Sequence, residues 1–396
     1  MTKNIQTDIV VVGAGLVGLS AAIAFALQGK KVVLLDSKNS AIKLKKDWDE
    51  RVYALTPATE QWLANIGVWA HVDVSRVNSI NTMHIFDDAN TVDEFKTQPL
   101  LLRDEDAHLA KLGLIIENQN LMYALLQKLH SLDVTIINNT QCLSLHNTPQ
   151  AATISLASGA IIAAKLIVAA DGVDSWVRKQ ANIGVSIKDF NQTAVVANFK
   201  AKISHQNIAR QWFSAQSTLA LLPLPNQYVS MVWSVSTEKA NHLLTLSDND
   251  LAQKVLEASE GVLGDLTHLG KTQSFTLHQQ TAKRLICERL VLMGDAAHQI
   301  HPMAGQGVNL GFRDVMQMVT LTTHCHAMQD SGSNTVLRQY ERARAADVAT
   351  MSVLTAGLDD LFSSDSRLLK KMTHWGFKQI NRQASIKKLL IQQVAA

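Results

Sequence analysis

A glycine-rich turn near the amino terminus constrains the fold more than any other feature of the sequence. A G-x-G-x-x-G pattern occupies residues 13–18, directly after the apolar, β-branched run 8–12. An Ala- and Leu-rich segment follows at 16–27, and a second apolar run spans 31–36. This order predicts a strand, a tight turn, a helix and a second parallel strand, which together form the unit that binds dinucleotides.

Each glycine of this pattern, and the acidic residue after the second run, has its own expected role. Gly13 permits the tight turn, Gly15 lets the backbone approach a pyrophosphate, and Gly18 lets the helix pack closely on the strand. Asp36, about twenty residues further on, can accept hydrogen bonds from a ribose and would repel a 2′-phosphate. The site should therefore take FAD or NAD(H), and not NADP(H). The alternatives are a packing turn and a solvent-facing strand end.

Composition excludes several other classes of protein. Charged residues make up 18% and apolar residues 47%, with a formal net charge of +3 and no basic block that would suit nucleic acid. In the segment 43–50, three lysines are followed at once by three acidic residues, which indicates a solvated loop. Three cysteines without a C-x-x-C pair argue against a disulfide framework and favour a reducing cytoplasm. The nearly uncharged stretch 9–27 could imitate a membrane span, but its glycines interrupt such a helix.

Two further motifs follow buried strands. Asp171-Gly172 ends the run 165–170 and precedes Ser175 and Arg178. On its own this motif is equally typical of an ordinary turn.

The third motif is the longest. The run 290–293 ends at Gly294-Asp295, and a glycine-rich loop at 305–309 opens a helix at 308–323. Backbone donors and a positive helix end at one point would suit the electron-rich edge of a reduced flavin.

In this order and spacing, the three motifs resemble those of flavoprotein aromatic hydroxylases of the para-hydroxybenzoate hydroxylase type. The segment 294–311, which reads GDAAHQIHPMAGQGVNLG, resembles the ubiquinone-biosynthesis hydroxylases, and the resemblance extends over nearly the whole chain. The segments 208–211 and 360–363 are most similar to the member that hydroxylates C5 of a polyprenylphenol.

The expected fold is α/β, with a Rossmann-like FAD-binding domain, an inserted, mainly antiparallel substrate domain and a C-terminal helical segment. Short alternating runs between about 185 and 280 predict the antiparallel sheet. The expected boundaries are 1–75, 105–182 and 283–330 for the FAD-binding domain, 76–104 and 183–282 for the substrate domain, and 331–396 for the helices.

The resemblance implies a role for each matching residue. Gly13, Gly15, Gly18 and Asp36 would hold the ADP half of FAD, and Arg51 would lie near its pyrophosphate. The remaining implied FAD-binding residues are Asp171, Gly172, Gly294, Asp295, Gly307, Val308 and Asn309. No side chain is expected to act as an obligatory acid or base. The residues expected beside the flavin ring are His298, Pro302, Gly305, Gln306 and Gly307.

The implied chemistry is hydroxylation of a phenol ring through a flavin C4a-hydroperoxide, with O2 and with NAD(P)H as a transient reductant or another electron donor. The implied partners are a lipophilic phenol, a ubiquinone-biosynthesis protein complex and a second copy of the chain. The basic tail 368–394 could contact an anionic membrane surface peripherally, at the inner membrane of the cell. The apolar segment 219–224 is a candidate wall over the substrate, or a plain core strand.

Other functions stay open. The chain could hydroxylate a soluble aromatic compound, reduce a polyprenyl substrate, or serve as a flavin-binding scaffold without turnover. The absence of a C-x-x-C motif and of a second nucleotide motif disfavours a disulfide reductase. His298 and His301 form an H-x-x-H pair, but Pro302 and the nearby glycines indicate a loop, so no metal site is expected.

Overall fold

The computed structural model describes residues 4–39, 44–87, 99–214, 217–300, 307–323, 330–362 and 376–395. Several residues singled out above lie outside these ranges: His301, Pro302, Gly305, Gln306 and Cys325. Within the ranges, Cys142 and Cys287 are free thiols.

Strands supply most of the architecture. Numbered along the chain, they are β1 (Asn4–Val12), β2 (Val32–Leu35), β3 (Val52–Leu55), β4 (Val77–Ile80), β5 (Thr82–Asp87), β6 (Leu100–Arg103), β7 (Gly113–Glu117), β8 (Val134–Ile137), β9 (Cys142–Asn147), β10 (Ala152–Leu156), β11 (Ile161–Ala169), β12 (Val185–Ala201), β13 (Ile208–Ser214), β14 (Ser217–Leu224), β15 (Tyr228–Ser236), β16 (Leu266–Ala282), β17 (Ile286–Cys287), β18 (Leu290–Leu292) and β19 (His298–Gln299).

Helices cover the sheets and form the carboxyl-terminal part. They are α1 (Leu16–Leu27), α2 (Pro57–Asn65), α3 (Asn118–His130), α4 (Trp176–Gln180), α5 (Thr237–Thr245), α6 (Asp248–Ala258), α7 (Gly307–Thr323), α8 (Asn334–Phe362) and α9 (Ala384–Ala395), with a further helical segment at 376–382. No helix in the described ranges combines the length and the apolar character needed to cross a bilayer.

The first sheet has eight strands, and its central path runs β17-β18-β11-β1-β2-β8. β18, β11, β1, β2 and β8 are parallel neighbours, and β1 and β2 are buried along most of their length. Burial on both faces explains why their sequences are continuously apolar instead of alternating. The predicted order of strand, glycine turn, helix and strand is confirmed.

The run 165–170 is the second part of a longer strand, β11, which begins at Ile161. The first half of β11 pairs antiparallel with β10, while its whole length pairs in parallel with β1. No glycine or proline interrupts residues 161–169, so nothing ends the extended backbone before residue 165.

The second sheet also has eight strands, in the order β19-β16-β12-β15-β14-β13-β5-β6. Neighbouring strands are antiparallel except β13 and β5. One face, here called the helix-covered face, packs against α5 and α6 through residues such as Phe199, Trp233 and Val255. The opposite face, here called the inner face, turns toward the loop 44–51, since the Asn198 amide donates to the Asp49 carbonyl at 3.1 Å.

An apolar cluster joins the second sheet and a small third sheet, β3-β7-β4, to the carboxyl-terminal helices, and it is here called the junction cluster. The cluster's buried members are Ile80, Leu100, Leu102, Ala107, Leu112, Ile115, Ala209, Leu224, Phe377 and Ile391.

Candidate functional site

The sequence motifs meet at one edge of the first sheet. Gly13 follows β1, Asp36 follows β2, Asp171 follows β11 by one residue, and Gly294 follows β18 by one residue. Because these strands are parallel neighbours, their carboxyl ends lie along the same edge, which is where open α/β sheets bind ligands.

Two glycines of the first motif are required by close backbone contacts. Gly13 has a φ of +102°, and a Cβ there would lie 2.3 Å from the Ala170 carbonyl oxygen. A Cβ on Gly18 would lie 1.8 Å from the Gly13 carbonyl oxygen. Any side chain at these positions would push α1 or β11 out of place.

Gly15 is different, because open space surrounds the position that its Cβ would occupy. It is exposed and is the N-cap of α1, whose first turn receives no hydrogen bond from the cap side chain. Free backbone N–H groups at the positive end of a helix bind phosphate. Asp36 ends β2 nearby and accepts from the Ala14 N–H at 2.6 Å. The open turn, the uncapped helix and the adjacent carboxylate fit the ADP half of FAD.

Asp171 is engaged mainly in local structure. Its carboxylate accepts from the Ser175 hydroxyl and from the Val177 N–H, so it caps α4. Burial raises the pKa of Asp171, and these hydrogen bonds lower it in part. Gly172, with a φ of +83°, has open space where a Cβ would lie. The backbone of Gly172, and not the Asp171 side chain, is therefore free to approach a ligand.

Arg178 links the second motif to the third, a role that the sequence analysis missed. Its guanidinium is buried and donates to the carbonyls of Ala296 (2.8 Å) and Val173 (2.7 Å). Gln280 on β16 donates to the same Val173 carbonyl at 2.9 Å. A lone arginine on a short helix after Asp-Gly gives no sequence signal for such long-range contacts.

The third motif packs directly on the first. A Cβ on Gly294 would lie 3.0 Å from a methyl group of Val17, and one on Gly311 would lie 2.6 Å from the same methyl. Val17 on α1 thus fits between the Gly294-Asp295 turn and α7. This packing explains why Gly294 and Gly311 are glycines, in addition to any contact with a ligand.

Asp295 and Arg51 are far apart in sequence but interact electrostatically in the fold. Asp295 is exposed, yet protein surrounds its carboxyl, and this desolvation raises its pKa while Arg51 and His298 lower it. The Arg51 guanidinium lies over the rings of Tyr53 (5.4 Å) and of Phe275 on the second sheet (5.9 Å). Burial raises the pKa of Tyr53 to about 12, so its hydroxyl stays protonated at neutral pH.

The loop before Arg51 is more than a solvated segment, contrary to the prediction. Residues 45–47 offer their carbonyls to Arg76, and the Asp49 N–H donates to the buried Glu117 at 2.6 Å. Glu117 and Arg76 form a two-pronged ion pair with both contacts at 2.7 Å. Glu50 accepts from the Gln273 amide on β16 at 3.0 Å. Asp49 and Glu50 of the loop bind partners that are distant in sequence, so the prediction of a purely solvated loop was wrong.

A buried charged cluster holds the third motif in position. Asp314 on α7 is fully buried and accepts from the Gly294 N–H (2.8 Å), from His298 Nε2 (2.7 Å) and from Arg344 on α8 (2.6 Å). These contacts hold the pKa of Asp314 below its usual value even though burial opposes them. His298 Nδ1 is buried and has no hydrogen-bond partner in the described structure. The cluster fixes the turn that carries Asp295.

The remaining predicted residues fall into two groups. The Asn309 side chain donates to the Ala54 carbonyl (2.8 Å) and accepts from the Thr56 N–H (3.1 Å), so it joins the start of α7 to β3. Gly307 and Val308 are half-buried in the first turn of α7. Pro302, Gly305 and Gln306 lie outside the described residues.

The segment 219–224 lies in β14 and packs apolar side chains on both faces of the second sheet. Leu219 and Leu221 pack on the helix-covered face, whereas Leu222 lies against the junction cluster. In the ranges that the structure describes, no group of three His, Cys, Asp or Glu side chains is arranged to hold a metal ion.

Comparison with known proteins identifies relatives over nearly the full length. A family model described as an FAD binding domain matches residues 6–354. The chain is 30% identical over 388 residues to ubiquinone hydroxylase UbiL of Rhodospirillum rubrum, covering 97% of this chain and 88% of that protein. It is 29% identical to the 3-demethoxyubiquinol 3-hydroxylase of Escherichia coli, covering 97% of each.

Solved structures share the fold at lower identity. The p-nitrophenol 4-monooxygenase PnpA of Pseudomonas putida superposes with a TM-score of 0.79 at 18% identity, covering 100% of this chain and 99% of that one. PqsL of Pseudomonas aeruginosa in complex with 2-aminobenzoylacetate superposes with a TM-score of 0.76 at 18% identity, covering 92% and 99%.

Proposed function

This chain belongs to the FAD-dependent aromatic-ring hydroxylases, in the family that contains the ubiquinone hydroxylases, and from that premise we propose that it hydroxylates the ring of a polyprenylphenol-type intermediate of ubiquinone biosynthesis. The observation that carries the proposal is the position of Arg51, which lies over the ring of Phe275 on the second sheet and interacts electrostatically with Asp295 at the motif-bearing edge of the first. A reacting ring between these surfaces would be enclosed from both sides.

The proposed reaction balances as follows. One ring C–H bond becomes C–OH with one atom of O2, and the other atom leaves as water. Two electrons and a proton come from NAD(P)H, or from another donor, together with one further proton. Bound FAD supplies the chemistry that activates O2, and the protein supplies binding, orientation and the exclusion of water.

We propose the following holding residues for FAD. Gly15 and the first turn of α1 would receive the pyrophosphate, and Asp36 would bind the adenosine ribose. Asp295 would accept from hydroxyls of the ribityl chain, and Arg51 would balance the charge of the phosphates. Gly13 and Gly18 support this surface through packing, and Gly172, Gly294, Gly307, Val308 and Asn309 complete the proposed set with Asp171.

The junction cluster supports a lipophilic substrate. It draws apolar side chains from the second and third sheets and from the carboxyl-terminal helices, including Leu224, Phe377 and Ile391. Burial of a prenyl chain against such a surface yields about 25 cal/mol per Å2 of apolar area. The tail of the substrate would lie along this cluster while the ring faces Arg51 and Asp295.

The same proposal covers the arrangement of the chain and its surroundings. We propose a division into an FAD-binding domain (1–75, 105–182, 283–330), a substrate domain (76–104, 183–282) and carboxyl-terminal helices (331–396). On α9, Ile386 and Leu389 are exposed beside Lys388, which would suit peripheral contact with an anionic bilayer. The proposed protein partners are the members of a ubiquinone-biosynthesis complex and a second copy of this chain.

The function is tested by product analysis. The holoenzyme is incubated with 2-geranylphenol, isotopically labelled O2 and either NADH or NADPH. A product heavier by one labelled oxygen atom is expected, and its ring position is read by NMR. Turnover of salicylate without turnover of 2-geranylphenol would favour a soluble aromatic substrate. Bound FAD without turnover of either would favour the scaffold.

FAD binding is tested separately. Gly15→Val adds a side chain into open space at the turn, so the protein should fold but lose bound FAD, measured by absorbance after gel filtration. Gly376→Val is the matched control, since a Cβ at Gly376 also meets no neighbour. Equal FAD content in both variants would contradict the proposed pyrophosphate site.

A further inference from the structure

Two buried polar atoms on the inner face of the second sheet have no hydrogen-bond partner among the described residues. They are Asn198 Oδ1 on β12 and Ser230 Oγ on β15. Their side chains are 1% and 0% exposed. Buried polar atoms are nearly always hydrogen-bonded, so each such exception calls for an explanation.

The two residues form one site. Asn198 and Ser230 lie directly opposite each other in the pairing of β12 with β15, so their side chains project from the same face. Residues paired in this way have Cα atoms about 4.5–5.5 Å apart. One small oxygen-containing group can therefore reach both side chains at once.

The orientation of the asparagine amide is fixed by a contact outside the sheet. Asn198 Nδ2 donates to the Asp49 carbonyl, which belongs to the loop that carries Arg51. The amide oxygen is consequently the free atom, and it is an acceptor. The Ser230 hydroxyl can act as donor or acceptor.

The surroundings of the pair are apolar on the side of the junction cluster. Leu222 on β14 lies opposite Ser230 in register and packs against that cluster. Trp48 and Tyr228, which also pack against it, meet edge to face with ring centroids 5.7 Å apart. A ligand that reaches the pair would thus carry one polar group on an otherwise apolar body.

We propose that Asn198 and Ser230 bind the phenolic oxygen of the substrate. The phenol O–H donates to Asn198 Oδ1, and the Ser230 hydroxyl donates to the phenolic oxygen. This inference rests on the proposed function and adds a specificity-determining pair to it. A carboxylate would be rejected, because the free amide oxygen would face another acceptor.

The opposite face of the sheet shows why position matters. Trp212 and Trp233 also have buried ring N–H groups without a partner in the described structure, but both pack on the helix-covered face. A ligand held between the two sheets cannot reach that face. Among the described residues of β12 and β15, Asn198 and Ser230 carry the buried unpartnered atoms of the inner face.

The test compares a phenol with the same molecule lacking the phenolic oxygen, because that oxygen is needed for both proposed hydrogen bonds. The oxidised holoenzyme is titrated with 2-geranylphenol and with geranylbenzene, and binding is followed by the perturbation of the flavin absorbance. The wild type should prefer the phenol, and Ser230→Ala should reduce that preference about fivefold, the size of one neutral hydrogen bond. Asn198→Ala should reduce it similarly.

A purely structural role predicts a different result. Removing an unsatisfied hydroxyl should leave thermal stability unchanged or raised, without changing the preference for the phenol. Thr193→Val is the matched control, because Thr193 lies on β12 and its hydroxyl faces Thr237 at 3.2 Å, away from the inner face. It should leave the preference unchanged.

The outcomes separate this proposal from the proposed function. If the wild type hydroxylates 2-geranylphenol but Ser230→Ala and Asn198→Ala keep its preference, the two atoms hold only a water molecule and the proposal is wrong. If the wild type neither binds nor hydroxylates any phenol, the proposed function fails and this proposal fails with it.

Discussion

Two arginine–carboxylate pairs hold the two loops that meet at the candidate site, and they differ in their surroundings. Arg344 and Asp314 are enclosed between α7 and α8, and Asp314 also accepts from His298 Nε2 and from the Gly294 N–H. Arg76 and Glu117 lie under the loop 44–51, where part of the guanidinium stays accessible.

The difference shows how the two loops are restrained. Asp314 binds the backbone of its loop directly, so the position of the Gly294-Asp295 turn depends on one carboxylate. The loop 44–51 is held mainly by hydrogen bonds from the Arg76 guanidinium to its backbone carbonyls and by the Asp49 N–H, which donates to Glu117. Buried ion pairs add little net stability over apolar residues, but losing one partner of such a pair is costly. The contrast can therefore be measured by removing single charges.

The largest effect is expected for Asp314→Asn. It leaves the buried Arg344 with only the more exposed Asp347 as counter-charge and removes the carboxylate that binds His298 and the Gly294 N–H, so it should lower the free energy of unfolding by about 3–5 kcal/mol. The measurement is urea denaturation of the FAD-loaded protein. Asp347→Asn, which removes the more exposed carboxylate beside Arg344, is the control and should cost clearly less. A loss below about 1 kcal/mol for Asp314→Asn would contradict the contrast.

The pH dependence of the same pair can be stated with its sign. The pKa of Asp314 is lowered in the folded protein, so its stabilisation is present above the unfolded value of 3.8 and is lost as pH falls through the folded pKa. The difference in unfolding free energy between wild type and Asp314→Asn should stay constant from pH 7 to about pH 5 and shrink only in stronger acid. A difference that already disappears near pH 6 would refute this.

A smaller effect is expected for Glu117→Gln. The amide can replace some hydrogen bonds to Arg76 and to the Asp49 N–H, so the cost should be about 2 kcal/mol. Because the loop carries Arg51, FAD should also dissociate faster, which is measured by fluorescence of released flavin. If FAD release is unchanged while stability falls, the loop does not position Arg51.

The smallest effect calibrates the scale. Lys111 and Glu60 form an ion pair at 2.7 Å with both side chains partly exposed. Lys111→Met should change the free energy of unfolding by less than about 1 kcal/mol, and high salt should reduce the difference further. A cost equal to that of Glu117→Gln would show that exposure does not rank these pairs.

Local features of the fold were predictable from the sequence because their causes are local. The strand, turn and helix around Gly13 follow from glycine spacing and apolar runs. The start of α2 follows from Thr56, whose hydroxyl accepts from the Thr59 N–H, and from Pro57 in the first turn. The antiparallel sheet followed from alternation, as in β15.

The bracing residues could not be predicted, because their partners lie far away in sequence. Arg178, Glu117 and Arg344 look like ordinary charged residues until the fold brings their partners near. Asp314 carried one usable signal: it lies four residues from Leu310 and from Met318, on the buried face of α7. A carboxylate on an apolar helix stripe indicates a buried charge with a partner elsewhere.

The short strand β19 has a mechanical consequence. His298 and Gln299 pair with Thr281 and Gln280 on β16, and the Ala282 N–H donates to the Ala297 carbonyl at 2.8 Å. Backbone hydrogen bonds therefore connect the turn that carries Asp295 to the edge strand β16 of the second sheet. A movement of that sheet, such as a bound ligand would cause, should therefore move the Asp295 turn with it.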